Sequence, residues 1–291
     1  EQKEIWQILF ELTQKIGEKA EAIKFNLEIL AHIDFVYAKA LLSERMRGVE
    51  PILNDRGYIE MIQARHPLLK VDYVVPIDVH IGDDISTLVI TGPNTGGKTV
   101  ALKTIGLLTL MAQAGLHVPA DQKTQVAVFQ DIFADIGDEQ SIEQNLSTFS
   151  SHITQIVRIA RELEDEPRSA LVLLDELGAG TDPTEGAALA TSVLDHFHQL
   201  TWRGIRTVIT THHGALKRFA YAREGVRNAS VEFDVKTLQP TYRLIMGLPG
   251  SSNALIIASH LGMPKAITES AKELLDSSVI KAEELIRGLE Q

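Results

Sequence analysis

The sequence predicts an α/β fold with a mainly parallel sheet built around a phosphate-holding loop, and three observations carry that prediction. Short apolar runs alternate with segments of helical period from about residue 52 onward. The run "ALVLLD" (170–175) is continuously apolar, as a strand buried on both faces must be. The stretch "LVITGPNTGGKTVALKTIG" (88–106) leads from an apolar strand through a Gly-rich turn into a helix. Composition narrows the classes. The 291 residues are 44% hydrophobic and 23% charged, a soluble globular balance suited to one large domain or one domain plus an appendage. No cysteine is present, which excludes disulfides and Cys-ligated zinc. The net charge of −11 repels polyanions on average, so a surface gripping nucleic acid is expected to be local or outside this chain. No apolar run approaches a membrane span, and the first residues carry neither a basic region nor a cleavage site. A cytoplasmic protein without membrane contact is expected, and the missing initial Met points to a piece of a longer chain.

Residues 3–47 contain no proline and one glycine, and Ile5, Ile8, Leu9, Leu12, Ile16, Ala20, Ile23, Leu27 and Leu30 form a stripe at helical spacing. The stripe predicts one arm-like helix or two helices, ended by Gly48 and Pro51. It either packs on its own domain or belongs to a lever reaching elsewhere. Strands are expected at 58–62, 77–81 and 86–91, then a helix over roughly 97–114. A further strand over 127–136 precedes a helix over 148–165. The strand at 170–175, a helix at about 184–200, the strand at 206–211 and a short helix follow. Residues 231–247 read as a β-hairpin, and the end, from Ser252, reads as helices separated at 262–264.

Gly92, Pro93, Asn94, Thr95, Gly96, Gly97, Lys98 and Thr99 match G-x-x-x-x-G-K-[ST] in full. Glycines let backbone N–H groups turn inward around phosphates, and the following helix adds its positive end. Lys98 is expected to reach the β- and γ-phosphates and Thr99 to offer its hydroxyl to Mg²⁺. Asp175 ends a buried strand, where open α/β sheets bind ligands, and fits a magnesium-positioning acid. The adjacent Glu176 is the candidate to polarise an attacking water. Adjacent acids after a strand are often mere solvated charges, and the upstream loop favours the catalytic reading. In "TTHH" (210–213) His212 is expected to contact the γ-phosphate or the water, with His213 a bystander. No N-K-x-D string for guanine reading occurs, and 176–212 holds only Arg203 and Arg206, too few for a kinase lid. The acid pair plus the downstream histidine suggests a P-loop ATPase of the ABC type, using ATP and Mg²⁺.

With these residues in place, "RHPLL" (65–69), "ITGPNTGGKT" (90–99), "GLHVPA" (115–120), "DIGDEQSIEQNLSTFSSH" (135–152), "LLDELGAGTDPTEGAALA" (173–190) and "TTHH" together resemble the MutS ATPases, most closely their bacterial MutS-II branch. The resemblance covers nearly the whole chain. It implies a homodimer that shares two nucleotide sites. Ser147 matches the signature serine that meets the γ-phosphate held by the other subunit, at a predicted helix start suited to anions. "GAGTDP" (178–183) resembles the D-loop, and Gln140 a Q-loop residue. The resemblance implies an adenine slot on 72–79, where Val75, Pro76 or Ile77 would provide the apolar surface, with His66 another candidate. The implied division is a helical lever remnant (1–50), an ABC-type ATPase domain (51–250) and C-terminal helices for dimerisation that begin a linker (251–291). The clamp domains and the Smr nuclease domain of the full-length protein are expected outside this stretch. The implied function is a dimeric ATP-driven engine that couples nucleotide state to branched DNA and to suppression of recombination. The same engine splitting stalled ribosomes, or a nucleotide-binding module without turnover, stands as the alternative.

Overall fold

Two helices make up the first unit, Glu1–Gly48: α1 (Gln2–Gly17) and α2 (Ala20–Met46). A turn at Glu18 and Lys19 separates the two helices, and Arg47 ends α2 in the left-handed region at φ 51°. The apolar stripe lies uncovered: Ile5, Ile8, Leu9, Leu12, Ile16, Ile23, Leu27 and Leu30 are all at least half exposed. The computed structural model describes residues 1–93, 96–137, 148–165, 168–234, 237–250 and 254–274.

The second unit, Val49–Gln291, contains β1 (Ile52–Asn54), β2 (Ile59–Ala64), β3 (Ile77–Ile81), β4 (Thr87–Thr91), α3 (Lys98–Gln113), β5 (Gln125–Ala127), β6 (Asp131–Asp135) and α4 (Thr148–Asp165). It continues with β7 (Ala170–Leu174), α5 (Pro183–Gln199), β8 (Arg206–Thr210), α6 (Gly214–Ala222), β9 (Val226–Asp234), β10 (Gln239–Met246), α7 (Ala254–His260) and α8 (Lys265–Glu273). The larger sheet runs β10-β9-β4-β8-β7-β6; all its pairs are parallel except the β9–β10 hairpin. Every residue of β4 and β7 is buried, as the apolar Leu88–Ile90 of β4 and the unbroken apolar run of β7 require. The period of two sorts the helices onto two faces. Val172 and Leu174 join the cluster of Ile156, Ile159, Leu194, Phe197 and Leu216 from α4, α5 and α6. Leu173 points the other way and touches Gly106 of α3, where an added Cβ would lie 2.4 Å from its methyl.

The expected strand over 127–136 is corrected to two strands in different sheets. β5 pairs with β1 and β2 in a smaller sheet of order β1-β5-β2-β3, whereas β6 forms the edge of the larger one. Hydrogen bonds outside either ladder hold the crossing: Phe129 N–H donates to Gln113 Oε1 (2.9 Å), and Ser169 N–H donates to Gln130 Oε1 (2.9 Å). Among the described residues no helix is long and apolar enough to cross a membrane.

Candidate functional site

The loop after β4 is shaped by its neighbour. Val231 of β9 is buried, and its Cγ2 would stand 2.5 Å from a Cβ on Gly92 and 2.6 Å from one on Gly96. A β-branched side chain locked in a sheet cannot yield that distance, so these positions admit only glycine. Gly97, at φ 93°, turns the backbone into α3 through the left-handed region. Lys98 then opens α3 with only 1% of its surface exposed, and its Nζ donates to the Gly92 carbonyl at 2.9 Å. Burial pushes the Lys98 amine below the ordinary lysine range; Glu176 and Asp175 pull it back up, and Lys217 adds a further push down. Thr99 follows, half-buried. Asn94 and Thr95 lie outside the described residues, as do Gln140 and Ser147.

The two acids lie at the carboxyl end of β7 beside β8. Asp175 is buried, and its N–H donates to the Asp135 carbonyl of β6 at 2.9 Å. Thr210, at the end of β8, donates its hydroxyl to Asp175 Oδ1 while its oxygen accepts the Glu176 N–H at 2.8 Å. One hydroxyl thus joins both acids. Glu176 itself takes φ 46°, a conformation that costs a non-glycine residue and is held by its neighbours' bonds to Thr210. The chain then turns through Gly178, which packs so tightly on α5 that a Cβ on Gly186 would stand 2.2 Å from the Gly178 carbonyl oxygen. Asp182 caps α5, accepting from the N–H groups of Thr184 and Glu185, with Pro183 in the first turn.

Of the two histidines after β8, His212 is exposed and His213 buried; their ring centroids lie 4.3 Å apart. His66 lies near Lys103 of α3, and burial first, then that lysine, lowers its pKa. Ile77 is buried in the core, which leaves Val75 and Pro76 half-buried beside it. Three features escaped the sequence. The Thr210 bridge is one. Tyr242, at φ 62° in a β10 bulge, places its ring 3.2 Å from where a Gly97 Cβ would be. The third is a pair, His152 Nδ1 to Asp135 Oδ2 at 2.7 Å, beside a cavity lined by Phe149, Asp175, Glu176 and Gly180. Both partners stand in the stretch 135–152, but no spacing rule couples residues 17 apart in sequence.

The threonines of β8 provide an internal comparison. Thr210→Val removes a donor to Asp175 and an acceptor for Glu176, and is expected to cost about 1–3 kcal/mol. Thr207 is equally buried, but its hydroxyl has no partner among the described residues. Thr207→Val is therefore expected to be neutral or stabilising. Calorimetric melting decides: a drop of several degrees for Thr210→Val alone, at about 2–4 °C per kcal/mol, is the expected result. Equal shifts for both would show that the bridge adds nothing.

Residues 88–278, more than half of the chain, match the family profile described as MutS domain V. The matched segment contains the loop, both acids and both histidines. Curated relatives named endonuclease MutS2 align with the chain from end to end. That of Caldanaerobacter subterraneus subsp. tengcongensis is 55% identical over 291 residues, that of Shouchella clausii 58% over 290, and that of Halalkalibacterium halodurans 56% over 291. Each alignment takes in 100% of this chain and 36% of the relative, so the chain spans little more than a third of the length of the proteins it matches.

Proposed function

Because the chain belongs to the MutS family through its domain V, we propose that it is the ATP-hydrolysing engine of a longer, dimeric protein that acts on DNA. The observation that carries this reading is the buried Lys98 at the end of a glycine cradle, with Asp175 and Glu176 near enough to raise its pKa and joined to each other by Thr210. The cradle suits phosphate oxygens, since Gly92, Gly96 and Gly97 themselves carry no side chain that would crowd an anion at the start of α3. Thr99 and Asp175, a hydroxyl and a carboxylate, suit Mg²⁺, which takes few protein ligands and completes its shell with water and phosphates. Bound there, the ion would neutralise charge that develops on the phosphates.

Within that site Lys98 holds the β- and γ-phosphates, and Glu176 orients the attacking water and accepts its proton. His212 reaches the γ-phosphate side once nucleotide is bound. A second copy of the chain supplies Ser147 to complete the site, and 178–183 carries nucleotide state between the copies as in ABC-type ATPases. Residues 1–50 act as the end of a lever, 51–250 as the ATPase domain and 251–291 as dimerisation helices. The client is DNA, in branched form, gripped mostly by parts of the longer protein; the relatives' name, endonuclease, supports a nucleic-acid client, and the charge of −11 favours a grip that is local or outside this chain.

Purified chain supplied with ATP and Mg²⁺ is expected to release phosphate continuously, and to stop when EDTA removes the ion. Absence of turnover by a folded wild-type chain in excess Mg²⁺ would overturn the reading.

A further inference from the structure

The Asp135–His152 pair lies outside the roles assigned so far. His152 stands in the second turn of α4 and Asp135 ends β6, with 30% and 11% of their side chains exposed. The imidazole donates from Nδ1 to the carboxylate at 2.7 Å, a charge-assisted length. With Nδ1 committed to that bond, ring orientation is set, as for any histidine backed by a carboxylate. The pair closes over Gly137, where an added Cβ would meet His152 Cε1 at 3.3 Å.

The helix does not need this bond to stay folded. Ile156, Ile159 and Leu163 are buried on the inner face of α4, in one apolar cluster with residues of β6, β7 and α5. What the bond adds is a link to the acids. The Asp135 carbonyl accepts the Asp175 N–H, Asp175 accepts the Thr210 hydroxyl, and Thr210 accepts the Glu176 N–H. A continuous run of hydrogen bonds therefore leads from α4 across the ends of β6, β7 and β8 to Glu176. The first turn of α4 also lies beside the loop after Glu176: Phe149 and Gly180 line the same cavity, and a Cβ on Gly180 would lie 3.4 Å from Phe149 Cβ.

We propose that the Asp135–His152 pair is a positioning element for hydrolysis, holding the first turns of α4 in register with Asp175 and Glu176. This rests on the ATPase reading above. A positioning element alters the approach to the transition state more than it alters ground-state binding. His152→Ala is accordingly expected to lower kcat about tenfold to a hundredfold, the effect of a small misplacement of reacting groups. Its KM and its affinity for a fluorescent ATP analogue should stay within about twofold of wild type. His152→Asn puts an amide donor where Nδ1 stood and should recover most of kcat. His152→Gln puts its donor farther out and should not.

The proposal is overturned if kcat of His152→Ala stays within about twofold of wild type, or if the asparagine variant is as impaired as the alanine one. Should His152→Ala fail to fold, asparagine against glutamine decides on the same terms, both being amides. A wild-type chain without turnover would defeat the ATPase reading itself. An active wild type with unaffected variants defeats only the role of this pair.

Discussion

Glu176→Gln is expected to bind ATP as the wild-type chain does while releasing phosphate about a hundredfold or more slowly. The substitution keeps size and shape and leaves in place the backbone bonds that hold residue 176 at φ 46°, since the Thr210 hydroxyl receives a main-chain N–H. What disappears is the carboxylate able to accept a proton from water. Asp175 and its Thr210 bond remain, so the ion-holding acid keeps its place. A phosphate-release assay beside a nucleotide titration separates the two effects. Turnover equal to wild type would remove Glu176 from its proposed role. In the full-length protein the same substitution should trap the ATP-bound form, and the nucleic acid that co-purifies identifies the client: DNA supports the proposed reading, and ribosomal RNA would replace it.

Lys98→Met is expected to abolish the rise in Tm that MgATP gives the wild-type chain, without lowering the Tm of the nucleotide-free chain. The amine is almost completely buried, and burial outweighs the pull of Glu176 and Asp175, so its pKa in the folded chain lies below that in the unfolded one. The sign follows from proton linkage: between those two values the unfolded chain binds more protons, and stability rises with pH. Burial thus disfavours the charged amine in the folded chain more than its acidic neighbours favour it. Methionine fills a similar volume without charge, which removes that desolvation cost. Lost bonding to the Gly92 carbonyl offsets part of the gain. Melting curves with and without MgATP, repeated toward alkaline pH, provide the check. Wild type should gain stability over that range where Lys98→Met does not. A lower Tm for nucleotide-free Lys98→Met would show that the lysine stabilises the fold it was expected to strain.

Much of the site was legible because its signals are contiguous. The strand, loop and helix around Lys98 follow one another along the chain, and period and glycine placement identify them without any tertiary knowledge. Asp175 and Glu176 were legible because a doubly buried strand must be apolar throughout, and acids at its end stand out. The strand over 127–136 was misjudged because no glycine or proline interrupts that stretch, while the break is held by the side chains of Gln113 and Ser169, 16 and 39 residues from their partners.

By itself, then, the sequence determined the parallel α/β class, the glycine loop and the pair of acids, because local sterics and two-sided burial write themselves into adjacent residues. Only the tertiary structure decided why the loop glycines are obligatory, which acid shares a hydroxyl with which threonine, and that Asp135 meets His152. Those facts depend on Val231 pressing on Gly92, on β8 lying beside β7, and on α4 returning to the end of β6. The first two join groups on neighbouring parallel strands of one sheet, and the third joins a helix to a strand end. A distance of a few ångströms across such a sheet spans dozens of residues along the chain, and no local pattern records it.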